Sequence, residues 1–359
     1  MPSLAAFPDP DVVLRALAEQ LEPARFPGIV VAAAQGAGPV AALAYGTDAD
    51  GVPLSVESLF PVASVTKLAT ALAVLRLSDA GLLDVAEPLS MHLPDAAAAR
   101  SSVTLRELLC HTAGLPLDLP GEVAPYAPGL SWPVLAQACL ETFPERGPGE
   151  IVQYSNVGYG LLGVLVERLT GAAFPQALNR LVLEPLGIAG TLGDQPPRPP
   201  ARIADVRGTH AASPIEPFNS AFWRSLGFPW GGLVTTAGGA LALVLAFLGL
   251  PEDFLKPETR ALATRSHTGE LGGGFQPPLF WERCPWGLGP DIRGEKQPHW
   301  VPASLPGSFG HSGASGCLAW ADPSTGVAWA MLATRTADSG WLVRRGPALS
   351  EAIIAALDM

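Results

Sequence analysis

Apolar residues recur along this chain with two periods. Asp11 to Leu21 repeats them at helical spacing behind a Pro-Asp start, which predicts a helix. Gly28 to Ala34 and Val40 to Tyr45 are short Val- and Ala-rich runs on either side of Gln35-Gly-Ala-Gly, and they predict a β-hairpin. Ser64 to Leu77 is apolar nearly all round, so its helix is expected to be buried. Gly81 to Pro94 reads as a turn and a short helix. Thr104 to Cys110 is predicted helical, with Thr104 as N-cap, Glu107 completing a capping box, and Gly114-Leu-Pro116 as the stop. Leu117 to Pro133 is rich in Pro and Gly and is expected to be a loop. Helices return over Tyr159 to Leu169 and Pro175 to Leu183, and Gln195 to Pro200 is a proline-rich connector.

Phe228 to Leu250 carries no charge, but Pro229, Gly231-Gly232 and Gly238-Gly239 interrupt it. Its continuous apolar part, Ala240 to Leu250, is too short to span a bilayer and predicts a buried helix. Gly316 to Trp320 and Val327 to Thr334 alternate as strands around the turn Asp322-Pro-Ser-Thr-Gly326, and Pro347 to Leu357 reads as a closing helix. Strands at both ends with helices between them predict an α/β layer interrupted by a helical subdomain. No internal repeat is visible.

Composition narrows this picture. A chain of 359 residues suffices for one large domain with a subdomain. Hydrophobic residues make up 48% and charged residues 15%, which argues against disorder. The net charge of −11 and pI near 5.0 argue against a nucleic-acid surface. There is no basic stripe, Walker loop or dinucleotide fingerprint. The N-terminal residues lack the basic start and apolar core of a signal peptide. Cys110, Cys139, Cys284 and Cys317 show neither Cys-x-x-Cys nor metal-ligand spacing. These features predict free thiols, a cytoplasmic protein without a membrane span, and no metal or other cofactor.

The candidate chemistry begins with Ser64 and Lys67, which share one helix face at i and i+3. Serine needs a nearby base, and a desolvated lysine can serve where arginine cannot. Lys67, Lys256 and Lys296 are the only lysines among 22 basic residues. The plain alternative is an N-cap serine followed by a surface lysine. Tyr154-Ser155-Asn156 is the second candidate. A nearby cation would make the Tyr154 proton more labile, so that Tyr154 could shuttle protons between Ser64 and a leaving group. Asn156 could hold both Lys67 and a substrate carbonyl. A buried tyrosine beside a loop asparagine is the alternative. The third is Gly310-His311-Ser312-Gly313-Ala314-Ser315-Gly316, entering a strand. Its glycines would let a substrate lie against the backbone, and the N–H groups of Ala314 and Ser64 could form an oxyanion hole. His311 could orient substrate or tune the tyrosine; a glycine-rich turn with a solvent-facing histidine is the alternative.

In their order, Ser-x-x-Lys, Tyr-x-Asn and His-Ser-Gly resemble the serine β-lactamase and penicillin-binding superfamily. The likeness is closest to the class C β-lactamase branch, with its carboxylesterases, D-aminopeptidases and DD-peptidases. It extends over Leu59 to Lys67, Leu108 to Pro116, Pro148 to Gly163, Glu184 to Gly187 and Trp230 to Thr236, covering roughly residues 25 to 335. The resemblance implies a transpeptidase-like fold: an antiparallel sheet flanked by N- and C-terminal helices, plus an inserted all-helical subdomain. The α/β part would take approximately residues 1–70 with 215–359, and the helical part approximately 71–214. It also implies that Ser64 forms an acyl-enzyme, that Lys67 and Tyr154 exchange protons, that Asn156 positions Lys67 and substrate, and that His311, Ser312 and Gly313 line the opposite wall. The lactamase pattern has Lys-Thr-Gly where this chain has His311-Ser312-Gly313, so the permanent cation that would hold a lactam or peptide carboxylate is lost.

His111 is expected to bond carbonyls at a helix end. Trp223, Phe228, Trp230, Trp281 and Trp286 could line an acyl pocket or simply pack. No Gly-x-Ser-x-Gly elbow occurs. The expected activity is a serine carboxylesterase acting on short-chain esters. The alternatives are a D-aminopeptidase, DD-peptidase or weak β-lactamase on amides or lactams, and a catalytically silent penicillin-binding-like scaffold.

Overall fold

The computed structural model describes residues 4–21, 28–124, 129–194, 202–208, 218, 220–275 and 277–357. The predicted hairpin forms two adjacent inner strands of a seven-stranded sheet. Its strands are β1 (Leu4–Ala5), β2 (Gly28–Gln35), β3 (Val40–Gly46), β10 (Asp291–Ile292), β11 (Phe309–Gly313), β12 (Cys317–Asp322) and β13 (Val327–Ala333), in the order β1-β3-β2-β13-β12-β11-β10. Every pairing is antiparallel except that of the edge strand β1, which runs parallel to β3.

Alternate residues of these strands serve two separate cores, as a two-residue side-chain period requires. Val30, Ala32, Ala34, Ala328, Ala330 and Leu332 face one cluster. Ile29, Val31, Ala33, Val327, Trp329 and Met331 face the other. Both faces are covered, so β2 and β13 read as continuous apolar runs rather than alternating ones. The second face is closed by the terminal helices α1 (Pro10–Leu21) and α10 (Trp341–Ala355), which also pack on each other. The first face carries α8 (Ala237–Leu248), with α2 (Thr66–Asp79) beyond it.

The remaining helices are α3 (Leu105–Leu109), α4 (Trp132–Glu141), α5 (Asn156–Thr170), α6 (Phe174–Leu178), α7 (Ala221–Leu226) and α9 (Pro257–Ala263). Two small sheets sit among them. One orders β4 (Phe60–Pro61), β7 (Leu233–Thr235) and β6 (Gly190–Leu192) as β4-β7-β6; the other orders β5 (Val152–Gln153), β8 (Gly273–Gly274) and β9 (Phe280–Trp281) as β5-β8-β9. They deliver the segments before Ser64 and Tyr154.

The capping box at Thr104 and Glu107 is present in full. Several expectations need correction. Residues 81–94 contain only a 3-10 turn, Leu89–Met91. The expected loop to Pro133 ends early, because Ser131 precedes a helix with Pro133 in its first turn, where a missing N–H costs nothing. The closing helix starts at Trp341 and runs through Pro347. The Gln195 to Pro200 connector lies outside the described residues. Among the described residues no single helix is long and apolar enough to cross a membrane. All four cysteines are buried free thiols.

Candidate active site

Ser64 lies in a 3-10 turn, Ala63–Val65, just ahead of α2 rather than on the helix itself. Ala63 has φ +43°, a left-handed conformation that costs a non-glycine residue about 1–2 kcal/mol. Strand β11 runs against this turn. A Cβ on Gly313 would come within 2.3 Å of the Val62 carbonyl oxygen, so only glycine permits the approach. The segment Pro229 to Leu233 is fastened to α2 by three side chains. Thr66 Oγ1 accepts from the Leu233 N–H at 3.0 Å, Thr70 Oγ1 donates to the Pro229 carbonyl at 2.6 Å, and Lys67 Nζ donates to the Trp230 carbonyl at 3.1 Å.

Lys67 is fully buried. Its Nζ also donates to Asn156 Oδ1 at 2.7 Å and lies 3.4 Å from Ser64 Oγ. Desolvation pushes the amine well below the usual lysine range, against an opposing pull from the Asp118 carboxylate. A neutral amine has two N–H groups and one lone pair. Asn156 and the Trp230 carbonyl take the two N–H groups, which leaves the lone pair for the Ser64 hydroxyl. This is the arrangement a general base requires.

Tyr154 follows β5, and its N–H donates to the Gly274 carbonyl at 3.0 Å. The next residue, Ser155, caps α5 by accepting from the Gly158 N–H at 3.0 Å. His111, with φ +60°, braces this turn. Its carbonyl accepts from the Gln153 N–H at 2.8 Å, its Nδ1 accepts from the Ser155 N–H at 3.1 Å, and its ring lies 4.5 Å from that of Tyr154. His111 therefore holds an amide, not the helix-end carbonyls expected of it. With Nδ1 as acceptor, the neutral ring carries its proton on Nε2, which has no hydrogen-bond partner among the described residues.

The Tyr154 phenol corrects a second expectation. Burial raises its pKa well above the ordinary tyrosine value, and a hydrogen bond with Ser64 only partly offsets this. The proton is held, not labilised, because removing it would leave a buried phenolate. Lys67 Nζ lies 4.7 Å from the centre of the Tyr154 ring.

His311 is buried in β11, which excludes the solvent-facing alternative. Its Nδ1 is 2.6 Å from the Ser312 carbonyl, so Nδ1–H donates and Nε2 is left as an acceptor, 3.5 Å from Tyr154 Oη. Burial lowers its pKa to about 3, and any positive charge on Lys67 would act in the same direction, so at pH 7 the ring is neutral. Ser312 is half-buried, and Ala314 is exposed in the turn between β11 and β12.

The Beta-lactamase family model matches residues 13–349 of this sequence. The chain belongs to the beta-lactamase family. It is 31% identical over 231 residues to penicillin-binding protein 4 of Amycolatopsis lactamdurans, covering 60% of this chain and 57% of that protein. It is 28% identical over 144 residues to protein flp of Staphylococcus aureus (strain COL), covering 39% and 29% respectively. The chain thus spans under two thirds of the length of these curated relatives. Among solved structures, a β-lactamase of Mycobacterium bovis, Mb2281c, superposes with a TM-score of 0.68 at 25% identity, over 97% of this chain and 100% of that one.

Within this beta-lactamase fold, Ser64, Lys67, Tyr154, Asn156 and His311 converge, although the two ends of that set are 247 residues apart (311 − 64). The aromatic residues behave differently. The Trp230 ring stacks on Phe228 at 4.8 Å, and Phe228 meets Trp223 edge-on. All three are buried, so what Trp230 brings to the site is its carbonyl. Trp281 and Trp286 are buried beneath Lys296, whose Nζ lies 5.2 and 5.1 Å from their rings. Trp286 also lies 5.9 Å from the rings of both Tyr154 and His311, and Trp281 lines a separate cavity with Phe280. Sequence reading missed Asp118 and Phe275. Asp118 Oδ2 accepts from Asn156 Nδ2 at 3.4 Å, and Phe275 lies 4.2 Å from the Tyr154 ring. The only signal for Asp118 was its position just after the Leu108 to Pro116 signature.

Proposed function

We propose that the protein is a serine carboxylesterase that forms an acyl-enzyme on Ser64. The observation that carries this reading is the Lys67 amine, buried and with both neutral N–H groups engaged, so that its lone pair is left 3.4 Å from Ser64 Oγ. Ser64 Oγ attacks the ester carbonyl carbon while its proton passes to Lys67 Nζ. The backbone N–H groups of Ser64 and Ala314 stabilise the oxyanion. As the C–O bond to the leaving alkoxide breaks, Tyr154 donates its proton to that oxygen and is reprotonated from Lys67. Water then attacks the acyl carbon with Lys67 again accepting a proton, and Ser64 is released as the free hydroxyl.

Esters are preferred to lactams because His311 is neutral and buried where a lactam carboxylate would need a fixed cation. The test is a substrate panel run beside a Ser64→Ala variant. Turnover of p-nitrophenyl butyrate above that of nitrocefin and a D-alanyl anilide is expected, and it should vanish in the variant. Unchanged butyrate turnover in Ser64→Ala removes the mechanism. Nitrocefin or anilide turnover above the ester replaces the substrate class.

A further inference from the structure

Two unfavourable features meet in one residue beside the proposed proton donor. His111, just past the end of α3, holds φ +60°, a left-handed conformation that non-glycine residues seldom take. Its buried Nε2–H has no hydrogen-bond partner among the described residues, which costs about 1–3 kcal/mol. Backbone strain and unpaired polar groups of this kind collect at functional sites. Holding the turn does not require the imidazole ring. Asparagine also adopts the left-handed region, and its side-chain oxygen could accept the Ser155 N–H as Nδ1 does. The ring therefore calls for a role beyond the turn.

Its surroundings indicate one. The imidazole lies 4.5 Å from the Tyr154 ring, tilted by 40°, and 5.1 Å from the Tyr159 ring, tilted by 31°. Tyr159 is itself fixed: it is buried in α5, and its hydroxyl donates to the Leu109 carbonyl at 3.2 Å. The Tyr154 ring is thus tied through His111 to α3 and α5. The same residue holds both chain neighbours of Tyr154, Gln153 through its carbonyl and Ser155 through Nδ1. Burial keeps the His111 pKa well below the ordinary histidine value, so Nδ1 retains the lone pair that accepts from Ser155. Phe275, the other ring close to Tyr154 at 4.2 Å, is only half-buried.

We propose that His111 is a positioning residue for proton transfer: its ring fixes the Tyr154 phenol where it can protonate the leaving alkoxide. This rests on the Ser64 hydrolase reading and adds to it a residue that acts through Tyr154 rather than on substrate. Without the ring, every reacting group is still present, but the phenol is free to tilt away from the line of transfer. A misplacement of about 1 Å is enough to cost up to 10²-fold in rate. The loss falls on the step that needs the phenol proton, the departure of the leaving group, and not on attack by Ser64.

The test is His111→Asn, which keeps the left-handed backbone and the acceptor for Ser155 and deletes the ring. Ethyl butyrate and p-nitrophenyl butyrate form the same acyl-enzyme and differ only in the leaving group. The variant is expected to lose roughly ten- to a hundredfold in kcat/KM on the ethyl ester, and less on the nitrophenyl ester, whose leaving group needs the proton less. In a Tyr154→Phe background the same substitution should cost about twofold or less, because the group it positions is gone. An equal loss on both esters, the full loss in the Tyr154→Phe background, or unchanged kinetics overturns the proposal. Two further readouts do not depend on turnover. The chain has four tyrosines, so an NMR spectrum of isotope-labelled tyrosine assigns Tyr154 by its disappearance in Tyr154→Phe. His111→Asn should broaden the Tyr154 ring signals by exchange, and signals that stay sharp overturn the positioning role. In the unaltered protein, nitrogen NMR at pH 7 should show His111 as the neutral Nε2–H tautomer; the Nδ1–H form or an imidazolium overturns the assignment even where the variant does not fold. Failure of the esterase reading shows separately, as absent hydrolysis of both esters by the unaltered protein.

Discussion

Replacing Lys67 by arginine separates the two things a buried cation could do at this site. The substitution keeps a positive charge but removes the ability to be neutral, because a guanidinium does not deprotonate in proteins. If Lys67 is the base, catalysis should fall by the general-base contribution, about 10²- to 10⁴-fold in kcat. Stability should fall as well. The side chain has no exposure, its near partners are the carbonyl oxygens of Asn156 and Trp230, and among the described residues no carboxylate hydrogen-bonds to Nζ. A permanent charge there, plus the extra volume, should cost several kcal/mol.

Lys67→Met is the companion variant. It should lose the same activity, yet it leaves two acceptors without a donor, at about 1–3 kcal/mol each. The sign of its pH dependence follows from linkage. The folded-state pKa of Lys67 is depressed, so between that value and 10.5 the unfolded chain binds more protons than the folded one. Stability of the unaltered protein therefore falls as pH falls through that window, and Lys67→Met should lack this component. The assays are p-nitrophenyl butyrate kinetics and urea denaturation at pH 7 and pH 9. An arginine variant that keeps more than a tenth of kcat would refute the base assignment and make Lys67 an electrostatic element only.

Tyr154→Phe should lower kcat about a hundredfold with KM little changed, because only the leaving-group proton transfer is lost; an equal rise in KM would indicate a binding role. His311→Asn should flatten the loss of stability between pH 6.5 and pH 4. The native ring stays neutral until about pH 3 while the unfolded one protonates near pH 6.5, and urea midpoints at several pH values read the slope. Gly163→Ala places a Cβ 2.1 Å from Pro229 Cγ, so it should destabilise by about 1–3 kcal/mol and also lower kcat, since Pro229 precedes the carbonyl that holds Lys67; thermal melting and ester kinetics read both. Thr104→Ala removes a capping box remote from Ser64, so melting should show a loss of about 1 kcal/mol with kcat unchanged.

Local chemistry made much of this protein legible in its sequence. Thr104 and Glu107 fixed a helix start because a cap is satisfied within four residues. The hairpin at Gln35 and the turn at Gly326 followed from the same short-range logic, as did the buried character of α2. The motif residues Ser64, Lys67, Tyr154, Asn156 and His311 were readable by type and order, because proton transfer to a serine admits few side chains.

Tertiary structure alone decided their protonation. Whether Lys67 is a base depends on burial and on carbonyls from Asn156 and Trp230, which lie 89 and 163 residues away. The same burial keeps Tyr154 a phenol and His311 neutral, the first against the sequence expectation. The fate of the aromatics also lay beyond local pattern. Trp230 and Trp286 pack inside, whereas Phe275 and Phe280 line a cavity beside Asp118. Residue type sets which proton transfers are possible. Desolvation and long-range hydrogen bonds set which of them occur, and neither is a property of any short stretch of chain.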